Sequence, residues 1–235
     1  MEVIEIDDDE SRFEFREAKP RKIMFCVDIS AEMCENLDPS ANAGIRDSNL
    51  YQSSRIETTQ RFLKRYANIN KMIGNDKDEY GMMTLTEVAT WWYDFSPNIT
   101  SFKEEINLID SEVVKHCDTF ELDIGSFFRM IKDNMDPNVF NHVIVIYGRT
   151  DVMPDGNMQL AKEIKKLPNL TMDLIYFHDN SESVQKIYDF WTDLDNEITP
   201  GWFYETSTFM GKDKVTKALC ELTSHPLQRG EQEVL

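Results

Sequence analysis

The residues Ile23-Met24-Phe25-Cys26-Val27 are apolar without interruption and end at Asp28. A short run with no alternation reads as a strand buried on both faces, the pattern of a parallel sheet. His142-Val143-Ile144-Val145-Ile146-Tyr147 and Met172 to Phe177 repeat the pattern, and Trp202 to Thr206 is read as a last strand. Between them lie apolar positions at three- and four-residue steps, the mark of helices with one buried stripe. One stripe is Ile56, Leu63, Tyr66, Ile69 and Ile73. Others are Phe102, Ile106 and Ile109; Leu122, Phe127, Phe128 and Ile131; and Met158, Ala161, Ile164 and Leu167. Val184, Ile187, Trp191 and Leu194, then Val215, Leu219 and Leu222, complete the set.

Punctuation between these runs sets the order of elements. Residues 34–53 are rich in Asn, Ser, Asp, Pro and Gly and read as a loop. Ser54 with Glu57, and Ser101 with Glu104, have the spacing of capping boxes and so predict two helix starts. Tyr80 to Thr86 and Val88 to Phe95 predict a hairpin. Strands alternating with helices imply right-handed crossovers and an α/β fold. Its sheet is expected to be mostly parallel, with helices on both faces and one antiparallel strand at an edge. The expected division is an acidic flexible lead-in over 1–20, one domain over 21–224 and an extended tail over 225–235. Phe13 and Phe15, in the lead-in, are a weak strand or docking signal.

Charge narrows the functions this frame can serve. The chain has 235 residues with 25 basic against 43 acidic side chains, a net of −18, and six acids fall within residues 2–10. A surface this negative repels phosphate backbones and anionic lipid, so neither nucleic acid nor membrane is an expected partner. No run approaches the length of a membrane span, and the first residues lack a signal-peptide pattern. Cys26, Cys34, Cys117 and Cys220 form no C-x-x-C pair and read as reduced, intracellular cysteines. On that reading the sequons at Asn98 and Asn169 are chance matches.

Ligands on crossover sheets bind at the carboxyl ends of the strands. There the sequence places Asp28-Ile29-Ser30, and Thr119 precedes a helix. A carboxylate and two hydroxyls can hold a hard cation such as magnesium through oxygen. The alternative is that Asp28 and Ser30 only tie the loop to the sheet end by hydrogen bonds. Arg149, after the strand ending at Tyr147, opposes a cation, and Asp151 is the nearest substitute ligand. Enzyme signatures are thin. There is no phosphate-binding glycine loop, no nucleophile elbow, and no pairing of His116, His142, His178 and His225 that would hold catalytic zinc. No catalytic residue and no cofactor are expected.

After the last helix comes Ser224-His225-Pro226-Leu227-Gln228-Arg229. Pro226 stops the helix and favours extended backbone. Such a segment suits a partner's groove, with Leu227 as apolar anchor and Arg229 as an ion-pair fork. A frayed terminus is the competing reading.

Taken together, Phe25-Cys26-Val27-Asp28-Ile29-Ser30-Ala31-Glu32-Met33, Thr119-Phe120-Glu121-Leu122, Val143 to Tyr147, Asp173 to His178 and, above all, the terminal His225-Pro226-Leu227-Gln228-Arg229 resemble the MERIT-forty subunit family of the BRISC and BRCA-A deubiquitinase complexes. The resemblance spans roughly residues 21–229. It implies a von Willebrand factor A-like three-layer fold and a non-catalytic adaptor that binds a BRE-like subunit carrying ubiquitin-conjugating-enzyme-variant domains. It further implies an assembly with an Abraxas-type scaffold and a zinc-dependent protease for lysine-sixty-three-linked ubiquitin chains. Cytoplasmic and nuclear locations, with roles in the DNA damage response or cell cycle, follow from the same resemblance. In von Willebrand A domains the metal motif is Asp-x-Ser-x-Ser with a later Thr and Asp. Here Asp28, Ser30 and Thr119 match, Glu32 replaces the second Ser, and the last Asp is missing after Tyr147. The implied metal site is therefore degenerate; the alternative function is a metal-dependent adhesion module.

Overall fold

The computed structural model describes residues 19–37, 53–179, 181–206, 211–230 and 232. Six strands form one sheet: β1 (Arg21–Asp28), β2 (Glu79–Leu85), β3 (Ala89–Ser96), β4 (Phe140–Tyr147), β5 (Leu170–Phe177) and β6 (Phe203–Thr206). Their spatial order is β3-β2-β1-β4-β5-β6, and every pairing is parallel except β2 with β3. The apolar runs are β1, β4 and β5, none of which has an open edge, and the predicted hairpin supplies β2 and, in β3, the antiparallel edge. Register shifts interrupt the β2–β3 ladder near Tyr80 and Met82.

Alternation along each strand sends side chains to two cores. On one face Phe25, Ile144 and Ile175 pack under α1 (Arg55–Ile73), α2 (Ile99–Leu108) and α7 (Gly211–Leu222). On the other Met24, Val143, Val145 and Leu174 pack under α4 (Ile124–Asn134), α5 (Gln159–Ile164) and α6 (Val184–Thr192). Trp191 of α6 is fully buried there, edge-on to Phe127 and Tyr147. A short α3 (Ser111–Val114) and 3-10 turns at Ala31–Cys34 and Pro226–Gln228 complete the chain.

Local chemistry explains the helix starts. The Ser54 side chain accepts from the Glu57 N–H and the Glu57 carboxylate from the Ser54 N–H, a complete capping box at the start of α1. The box read at Ser101 and Glu104 is not formed. Asn98 caps α2 instead, its Oδ1 accepting from Thr100 and Ser101, because an Asx side chain three residues upstream reaches those N–H groups first. In the same way Asp123 caps α4, so Leu122 is buried just before that helix. Asn169, the other sequon asparagine, donates to the carbonyls of Pro137 and Val139.

The tail read as extended over 225–235 is folded against the domain where it is described. His225 caps the 3-10 turn through Nδ1, Pro226 opens it, and Arg229 turns inward. Gln232 then pairs with the free edge of β6, accepting from the Phe203 N–H at 2.9 Å and donating to the Phe203 carbonyl at 3.0 Å. Residues 1–18, with Phe13 and Phe15, and most of the 34–53 loop lie outside the described residues.

Candidate functional site

Asp28 ends β1 at the carboxyl edge of the sheet and is fully buried. A buried carboxylate needs every lone pair satisfied. Its Oδ1 accepts from the Ser30 N–H at 3.0 Å, and its Oδ2 from the Ser30 hydroxyl at 3.2 Å and the Gly148 N–H at 2.9 Å. The remaining capacity goes to Arg149, whose Nε and Nη2 lie 3.2 and 3.1 Å from Oδ1.

Arg149 is itself fully buried and all three of its nitrogens are engaged. Nη2 also donates to the carbonyls of Leu85 and Thr86, and Nη1 to that of Phe120. The guanidinium lies near the Tyr147 ring, and the Tyr176 hydroxyl donates to the Arg149 carbonyl. Burial drives the Arg149 pKa down, but Asp28 beside it more than reverses this, and the net direction is up. A permanent cation therefore sits on the carboxylate that a divalent ion would need.

The three residues read as cation ligands are not all brought together. Asp28 and Ser30 bond each other. Thr119 is half-buried along a groove of about 550 Å³ with Phe120, Val152 and Asp155, and the backbone beside it serves Arg149. Glu32, at the position of the family's second Ser, accepts from the Thr150 N–H at 2.8 Å and so ties the first loop to the one after β4. Burial raises its pKa, which the Thr150 N–H only partly offsets. Asp151 accepts from the Ser181 hydroxyl. A hard dication needs several oxygens converging on one point. Here the geometry offers it a guanidinium, and the donor set does not fit. Among the described residues no group of three or more His, Cys, Asp or Glu side chains is placed to hold a metal.

Around this pair the sequence reading missed Arg55. It is buried at the first position of α1, where the helix dipole disfavours a cation. It donates to the Gly148 carbonyl at 3.0 Å and lies within 3.2 Å of Glu35 and 2.8 Å of Asp179. The misplaced charge at a helix start was its only sequence signal.

The second constellation is at the opposite end of the strands. Asp173 of β5 and His142 of β4 are fully buried on the face covered by α1 and α7. Arg229 Nη1 donates to both Asp173 oxygens at 2.8 Å, and its Nη2 donates to the carbonyls of Leu222 and Ser224. Its guanidinium lies over the Trp202 ring, whose backbone N–H also reaches Asp173 at 2.8 Å. His142 Nε2 donates to Asp173, and the Tyr66 hydroxyl at 3.5 Å assigns Nδ1 as the acceptor. Burial pushes the His142 pKa down to about 4 despite Asp173, so the ring is neutral at pH 7. Burial would raise Asp173, but His142 and Arg229 outweigh it and hold its pKa below the ordinary value.

The tail residues thus divide by direction. Arg229 is an internal strut, and His225 packs at a tilt against the Phe140 ring with its pKa pushed down to about 4, mainly by burial. Pro226 is half-buried, whereas Leu227 is 62% exposed and Gln228 is exposed. Asp173 was legible in one respect: a single carboxylate within an otherwise apolar buried strand requires a cationic partner.

No protein-family model matches the sequence, and no curated protein matches it. Solved structures match by shape. The conserved hypothetical protein BatB from Bacteroides thetaiotaomicron superposes with a TM-score of 0.56 at 15% identity, covering 86% of this chain and 98% of that one. The SpRpn10 VWA domain gives a TM-score of 0.56 at 13% identity, over 84% of this chain and 95% of that one. The von Willebrand factor type A structure from Catenulispora acidiphila gives 0.55 at 12% identity, over 88% of this chain and 43% of that one. Identities this low carry the fold alone. Sheet order, antiparallel edge and helices on both faces agree with that likeness, and the chain has a von Willebrand factor A-like fold with an arginine on its first-strand aspartate.

Proposed function

We propose that this chain is a non-catalytic adaptor, a scaffold subunit of a BRISC or BRCA-A type deubiquitinase assembly. In this reading it binds a BRE-like subunit and so stabilises a complex with an Abraxas-type scaffold and a zinc-dependent protease. The observation that carries it is the Arg149–Asp28 pair, which spends the sheet's usual ligand-binding carboxylate on internal structure. A fold of this kind then has its outer surface left for partners. The terminal His-Pro-Leu-Gln-Arg sequence supports the specific assembly, with His225, Pro226, Leu227, Gln228 and Arg229 as the partner-binding segment. Leu227 and Gln228 present the outward contacts and Arg229 sets their position from within. Nuclear and cytoplasmic action belongs to the same proposal.

The test is binding to a BRE-like subunit by purified chain. Leu227→Asp alters an exposed side chain, so the fold survives; the expected result is a loss of affinity of about tenfold or more, as for an apolar anchor. Unchanged affinity removes the segment from the interface. For the metal-dependent alternative, titration calorimetry with magnesium decides. The expected result is no binding in the millimolar range, and clear binding lost in Asp28→Asn would replace the adaptor reading.

A further inference from the structure

Helix α1 carries Arg55, Arg61, Lys64, Arg65 and Lys71 against a single acid, Glu57, in a chain of net charge −18. Arg55 is buried in its own ion pairs, and Lys64 donates to Asn107. Arg61 and Arg65 stand one turn apart and exposed; among the described residues neither has an ion-pair or hydrogen-bond partner. They line a groove of about 310 Å³ between α1 and α7, together with the apolar side chains of Phe62, Val215 and Leu219. Two unneutralised arginines over an apolar floor are unusual on so acidic a molecule. The pair calls for an occupant with carboxylates and aliphatic side chains in one short stretch.

The chain itself contains such a stretch. Residues 2–10, Glu-Val-Ile-Glu-Ile-Asp-Asp-Asp-Glu, hold six acids with Val3, Ile4 and Ile6 among them. The tether is long enough. Lys19 and Pro20 lie beside Ile73 and Lys77 at the carboxyl end of α1. Arg65 is eight residues back along that helix, about 12 Å, and Arg61 about 18 Å. Nine residues of chain from 10 to 19 reach up to about 30 Å. A segment tethered this closely acts at an effective concentration in the millimolar range, so two ion pairs and a few apolar contacts suffice to seat it.

We infer that residues 2–10 dock in the α1/α7 groove of their own chain, their carboxylates on Arg61 and Arg65 and their aliphatic side chains on Phe62, Val215 and Leu219. This inference does not depend on the adaptor reading.

Zero-length carbodiimide coupling of the full chain, followed by peptide mapping, tests it. The expected products are amide links from carboxylates of residues 2–10 to Lys64, Lys214 or Lys217, the lysines next in sequence to the groove residues Arg65, Val215 and Thr216. Arg61→Glu/Arg65→Glu should cut them about fivefold or more, and so should raising salt to ~0.5 M, where screening shortens to a few ångströms. Both arginines are exposed, so the variant keeps its fold, checked by an unchanged denaturation midpoint. Asp7→Asn/Asp8→Asn/Asp9→Asn, altering the other partner, should reproduce the loss. The inference is overturned if no such links form or if the arginine variant leaves them unchanged. It is equally overturned if they run instead from Asp38 or Asp47 or join two molecules.

Discussion

At the scale of single residues, the buried Asp28–Arg149 and Asp173–Arg229 pairs make the sharpest claims. Asp28→Ala leaves Arg149 charged and unpaired in the interior, which costs about 3–5 kcal/mol. Asp28→Asn/Arg149→Met removes both charges at similar volume and is expected to cost clearly less than the sum of Asp28→Asn and Arg149→Met taken singly. A double-mutant cycle by urea denaturation reads the difference directly. His142 adds a pH dependence whose sign is fixed. Its pKa falls from the ordinary 6.5 to about 4 on folding. Between those values the unfolded chain binds a proton that the native chain refuses, so stability drops as the pH is lowered from 6.5 towards 4. The drop is on the order of 3 kcal/mol, at about 1.4 kcal/mol per pKa unit. His225 acts in the same direction and, being part-exposed, more weakly. Urea midpoints at pH 7 and pH 4.5 measure the drop, and His142→Gln should flatten it.

At the scale of elements, periodicity was a good guide where a strand or helix is long and one-sided. The buried runs became β1, β4 and β5, and the stripes became α1, α4, α6 and α7. Short elements were not legible. The four residues of α3 and the turn at Ala31–Cys34 are too brief to show a period. The false capping box at Ser101 shows a second limit. Two motifs competed for one helix start, and only the backbone geometry gave it to Asn98. Ser54→Ala should cost about 1 kcal/mol as the loss of a cap. Gly201 is a stricter case, because a Cβ there would stand 1.7 Å from the Met172 carbonyl oxygen. Gly201→Ala must push β5 from the lead-in to β6, and at least 2 kcal/mol, about the usual cost of overpacking, should disappear from the unfolding free energy.

At the scale of the whole molecule, the sequence carried the candidate site only in part. It marked Asp28, Ser30 and the terminal motif, but pairing a strand aspartate with an arginine 121 residues away, or Asp173 with Arg229, is a matter of topology. No local pattern encodes such partners, and buried carboxylates only announce that some cation must come. One outcome is that the terminal segment closes the domain. Arg229→Ala should lower stability by about 3 kcal/mol, since Asp173 keeps a carboxylate charge with only His142 and the Trp202 N–H to meet it. Thermal unfolding of that variant separates a structural loss from the surface effect of Leu227→Asp. The Gln232 amide has a further consequence. By meeting both backbone groups of Phe203, it imitates one residue of a neighbouring strand and occupies the sheet's open border. The opposite border is roughened by the register shifts against β3. Exposed borders recruit strands from other chains and seed fibrils. A chain carrying Gln232→Pro should therefore stay folded as a monomer when dilute, yet clump on concentration through strand addition at β6.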